Sequence, residues 1–147
     1  MVLELTYSQY NLLWKTSFLA LTSFSTAVYN KKYYCSLIPL TVFFTSINYW
    51  SRPDYSWRRN IDMVCVKSGI IINIIIAYNS QYYKMYYPVL FLASSCYPIS
   101  IILYKRKKYW ASVYSHAFLH VLGNLSNIIL YSGYVLPLNE NPLFKRK

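Results

Sequence analysis

Asn60-Ile-Asp-Met-Val-Cys-Val-Lys-Ser-Gly-Ile-Ile-Ile-Asn-Ile-Ile-Ile-Ala-Tyr78 carries two charges, Asp62 and Lys67, in an otherwise largely apolar run. At the α-helical rise such a segment spans roughly 28 Å, close to the hydrocarbon thickness of a bilayer, about 30 Å. Four more apolar runs of comparable length lie on either side, at approximately 11–29, 33–50, 86–104 and 110–134. Only a few residues connect each run to the next. In lipid every backbone amide must find its partner within the protein, so short connections between apolar runs predict antiparallel helices. The expected fold is all-α: a helical transmembrane bundle of about five antiparallel spans, one membrane domain over 1–147, with 135–147 an irregular basic tail.

Composition agrees. Apolar residues make up 56% of the chain and charged residues 13%, about half the charged share of an ordinary soluble domain. The mean hydropathy of +0.23 is held down by 18 tyrosines, a residue that favours the membrane interface. The net charge of +11 is concentrated in short clusters between the runs. Arg52, Trp57, Arg58 and Arg59 fall in one connection, and Lys105, Arg106, Lys107, Lys108 and Trp110 in another. Basic and aromatic residues so placed anchor spans against anionic headgroups. Nucleic-acid binding would instead need a basic face on a soluble domain. Cys35, Cys65 and Cys96 each sit inside an apolar run with no close pair, as small packing residues do.

Two runs are irregular. The first contains Lys15 and many hydroxyls, and Lys15 lies near enough to one end to reach the headgroups. The fourth is divided by Pro98, with Ser94, Ser95 and Ser100 placed to serve freed carbonyls. Asn124-Leu-Ser126 has the form of a glycosylation acceptor but falls inside the fifth run, where helix packing is the use for Gly123, Asn124, Ser126 and Asn127.

Ionisable groups at membrane depth mark sites. Alternating spans bring the end of the second run and the starts of the third and fifth to one side of the membrane. Ser46, Trp50, Asp62, His116 and His120 then share one leaflet. His116 and His120 are four apart and face the same way on a helix, as joint metal ligands would, and Asp62 is the carboxylate placed to join them. Lys67 is a candidate intramembrane partner for Asp62. The alternative is structural: the histidines bond to neighbouring helices while Asp62 pairs with Arg58 or Arg59 one turn earlier.

Ser46-Ile-Asn-Tyr-Trp50, Trp57-Arg-Arg-Asn-Ile-Asp62 and Tyr114-Ser-His-Ala-Phe-Leu-His120 together resemble the superfamily of alkaline ceramidases and progestin/adiponectin receptors. The resemblance implies a zinc-dependent hydrolase of lipid amides or esters. Ser46 and Asp62 would be its catalytic residues, and His116 and His120 its metal ligands. Two departures stand out: Trp50 occupies the place of a third ligating histidine, and there are five runs where the superfamily has seven spans. The chain also resembles small multi-span proteins of large DNA viruses of algae and protists, which implies a viral internal membrane or an organelle. The expectation is therefore a non-enzymatic structural component of a larger membrane assembly, without cofactor and with other membrane or capsid proteins as partners. The zinc hydrolase is the alternative.

Overall fold

The computed structural model describes residues 4–135, so the tail read at 135–147 lies outside the described residues except for Val135. The described chain is helical throughout its length: α1 Tyr7–Ser17, α2 Ala20–Tyr29, α3 Tyr33–Ser51, α4 Trp57–Ala77, α5 Tyr83–Lys105 and α6 Tyr109–Ser132. α4 and α5 are long and apolar enough to cross a membrane. α3 and α6 have 19 and 24 residues, but their apolar runs are diluted by tyrosine, serine, threonine and asparagine.

α1 and α2 are two halves of one rod. Phe18 and Leu19 between them keep right-handed helical angles, but the amides of Phe18, Leu19, Leu21 and Thr22 bond three residues back instead of four. A cause is visible in the side chains: Thr16 Oγ1 and Ser17 Oγ both donate to the carbonyl of Leu13, at 3.0 and 2.9 Å, and such back-bonding distorts the helical ladder. The rod also begins at Tyr7, earlier than the apolar run, because Gln9 Oε1 accepts from the Thr6 amide at 2.9 Å and closes the first turn. Lys15 consequently lies roughly 12 Å along the rod rather than near its end.

Two of the turns are built alike. In Asn30-Lys31-Lys32 and in Arg106-Lys107-Lys108 the middle lysine takes a left-handed conformation, φ 58° and 57°. The amide of Lys32 returns to Ala27 and that of Lys108 to Leu103, while Lys31 and Lys107 bond to Val28 and Tyr104. This is the closure that glycine usually supplies at a helix C-terminus. Lysine costs about 1 kcal/mol in that conformation, and its charge is favourable beside the helix's negative end.

Rods pack around a ring. The α1/α2 rod lies against α3 and α6, α3 against α4, and α5 runs alongside α6, whereas α4 and α5 scarcely approach each other. Small residues allow the close contacts: Ala20, Ser23 and Ala27 of α2 are buried, and Gly69 of α4 leaves so little room that an added Cβ would lie 2.7 Å from Ile38 Cγ2 of α3. Gly123 behaves otherwise, since a Cβ there would meet nothing within 4 Å. It opens onto space and does not serve the close helix approach expected of it. α5 continues through Pro88 and Pro98, with Ser95 Oγ donating to Phe91 O at 2.8 Å and Ser115 Oγ of α6 to Cys96 O at 3.0 Å.

Candidate functional site

The gap between α4 and α5 is continuous with a cavity of about 530 Å³ along the middle of the ring. Its wall carries Ser46, Trp50, Asp62, His116 and His120, the residues expected to share one leaflet, and also Lys67. Along α4 it extends from Arg59 to Asn73, roughly 21 Å of helix.

Asp62 is nine-tenths buried and is held by α3. Ser46 Oγ donates to its Oδ1 at 2.6 Å and Thr45 Oγ1 donates to the same oxygen at 2.9 Å. Two hydroxyl donors on one carboxylate oxygen satisfy the charge without a cation. The expected pairing of Asp62 with Arg58 or Arg59 is therefore corrected. Arg58 turns back to Asp54 Oδ2 at 2.9 Å and to the carbonyl of Arg52 at 2.7 Å, and Arg59 lies over the Tyr55 ring at 5.2 Å. Lys67 is likewise not the partner of Asp62: it is exposed on the cavity side of α4 and makes no hydrogen bond or ion pair among the described residues.

His116 and His120 stack edge to face, their ring centroids 5.1 Å apart. Thr16 Oγ1 lies 2.9 Å from His120 Nδ1 and 3.0 Å from the Leu13 carbonyl. This contact ties the first rod to α6 at His120. Trp50 packs its ring edgewise on His116 at 5.1 Å, and Tyr97 approaches His116 at 6.1 Å. An indole N–H donates only, so Trp50 cannot take the ligand role of a histidine.

A zinc site needs at least three protein ligands at about 2 Å from one point. Among the described residues no three of His, Cys, Asp and Glu come together in that way. The two histidines and Asp62 share a cavity, but Asp62 is bonded to α3 hydroxyls and Trp50 packs directly against His116. The donor set seen here, two histidines without a third ligand at the same point, does not fit zinc.

Sequence reasoning missed three participants. Thr16 was one hydroxyl among many in the first run, Thr45 immediately precedes the Ser46 motif, and Tyr86 carried no motif at all. Tyr86 is fully buried and lines the cavity; its hydroxyl and the indole N–H of Trp50 are buried without a hydrogen-bond partner among the described residues.

The basic and aromatic residues of both connections surround the same end of the ring. Trp57, Trp110, Arg52 and all four residues from Lys105 to Lys108 are exposed there. Ser56 begins α4, accepting from the Arg58 amide at 3.3 Å while its hydroxyl donates to Asp54. The Ser56 hydroxyl, and after it the Arg58 guanidinium, hold the Asp54 carboxyl below the usual aspartate range. No protein-family model, curated protein or solved structure matches the chain.

Proposed function

We propose that this chain is a non-enzymatic, five-span membrane protein that serves as a structural subunit of a larger membrane assembly. The observation that supports it most is the outer surface of the ring. Leu37 of α3, Val64 of α4, Phe91 of α5 and Phe118 of α6 are each more than 60% exposed, on four different helices. A soluble protein rarely exposes a belt of that extent, whereas lipid covers it without cost. With the α1/α2 rod as the remaining crossing, the basic clusters fall at the ends of the rods, where headgroups lie.

A metal-dependent lipid hydrolase has one observation in its favour, the shared cavity of Ser46, Asp62, His116 and His120. The donor set and the indole of Trp50 beside His116 weigh against it.

Topology mapping tests the proposal. Single cysteines introduced at Gln81 and Lys107, in a background lacking Cys35, Cys65 and Cys96, should label from opposite sides of sealed vesicles. Cysteines at Lys31 and Gln81 should label from the same side. An arrangement in which only α4 and α5 cross, with Lys31 and Lys107 labelled from one side, would overturn it.

A further inference from the structure

The cavity wall carries more hydrogen-bond donors and positive charge than it can use. Arg59, Lys67 and Lys105 all line it, and none of them has an acidic partner among the described residues. Against these three cations stands one carboxylate, Asp62, whose Oδ1 is already committed to Ser46 and Thr45. Trp50 Nε1, at the same end as Arg59, is a donor buried in the wall without an acceptor among the described residues. An unpaired cation at the middle of an apolar helix and a buried donor left unmet are both costly, and an acceptor-rich head group relieves them.

Shape restricts the occupant further. A cavity of about 530 Å³ that follows roughly 21 Å of α4 is long enough for one extended hydrocarbon chain. Between its ends the wall carries Ile38, Ile70, Leu90 and Leu119, together with His116 and His120. Gly123 adds width where a side chain would otherwise project. The gap between α4 and α5 gives such a chain a lateral way in.

We infer that the cavity binds a single-chain lipid whose head is a phosphate monoester, with the phosphate among Arg59, Lys67, Lys105 and Trp50 and the chain running towards Asn73 and Tyr86. A phosphate monoester carries about −1.5 to −2 charge at neutral pH, which matches three cations less one carboxylate. Side chains on α4 lean towards its N-terminus, which directs Lys67 towards the Arg59 end of the cavity. The inference rests on the five-span reading, because a soluble arrangement would open the channel to water.

The test is retention of defined lipids by the full chain in nanodiscs, read by native mass spectrometry and by competition with a fluorescent lysophosphatidate. Lysophosphatidate should bind at least tenfold more tightly than monoacylglycerol of the same chain length, with the fatty acid between them and inorganic phosphate far weaker than any. Lys67→Gln, at an exposed position with no bonds to lose, should reduce the preference for lysophosphatidate over monoacylglycerol roughly tenfold. Gly123→Leu should abolish binding of both. Equal binding of neutral and anionic lipids, unchanged preference in Lys67→Gln, or binding of inorganic phosphate as tight as the lipid overturns the inference. The labelling pattern of the cysteine variants is independent of these outcomes, so failure of the five-span reading is seen separately.

Discussion

The two ends of the ring are held together differently. At the end where α4 stops and α5 begins, the buried polar side chains among the described residues are hydrogen-bonded, the Tyr86 hydroxyl excepted. Tyr131 Oη donates to Asn73 Oδ1 at 3.0 Å, Asn73 Nδ2 donates to Asn127 Oδ1 at 3.0 Å, and Lys32 Nζ caps α6 through the carbonyls of Tyr131 and Gly133. Gln81 and Tyr134 exchange bonds across the last turn, and Ala77, Tyr86, Leu130 and Tyr131 are fully buried between them. At the opposite end the core is smaller, Leu13, Tyr49, Trp50 and Val113, and charged groups face a cavity. On the five-span reading lipid gives the helices no hydrophobic reason to associate, so packing and hydrogen bonds would hold the rods, and here they are concentrated at one end. The other end is left free to hold something.

If that division is real, truncation at the closed end should have the largest effect. Tyr131→Ala removes a fully buried ring and the bond to Asn73, and should cost about 3–5 kcal/mol, measured by reversible unfolding in mixed micelles. An effect under 1 kcal/mol would show that the closed end does not carry the fold. The two glycines sharpen the contrast at a smaller scale. Gly69→Ala forces the Ile38 methyl aside and should destabilise, whereas Gly123→Ala meets nothing and should gain up to about 1 kcal/mol from helix propensity. Effects of the same sign at both positions would contradict the geometry of the cavity.

Much of this was legible because spacing fixes depth and face. The run read at 33–50 is the helix Tyr33–Ser51, and the adjacency of Ser46 and Asp62 follows from alternating short-looped helices. Spacing does not fix the distance between helices. The separation of α4 from α5 depends on which side chains meet there, so neither the cavity nor the isolation of Lys67 could be read from the chain. The Asp62–Arg58 pairing failed for a local reason: four-residue spacing also relates Arg58 to Asp54, and Ser56 fixes that carboxylate in place first. The bond from Thr16 to His120 joins residues 104 apart in sequence, and nothing in a hydroxyl-rich run singles out one hydroxyl.

The smallest expected effect separates the two ends by pH. Asp54 is outside the apolar runs and its carboxyl is held low by the Ser56 hydroxyl first and the Arg58 guanidinium second. A carboxyl lowered on folding stabilises fully above the ordinary aspartate value, and that contribution is lost as pH falls through the lower folded value. Acid should therefore loosen the first turn of α4, where Ser56 and Arg58 depend on Asp54, while the cap of Lys32 on α6 persists because ammonium and carbonyl do not titrate in that window. Hydrogen exchange of the Arg58, Arg59 and Asn60 amides, corrected for the intrinsic rate at each pH, should show protection falling on acidification in the native chain. In Asp54→Asn it should be low at all pH values. Equal acid sensitivity at Tyr131 and Gly133 would mean that protonation loosens the whole bundle, and the loop would lose its standing as a separate, electrostatically pinned cap on the open end.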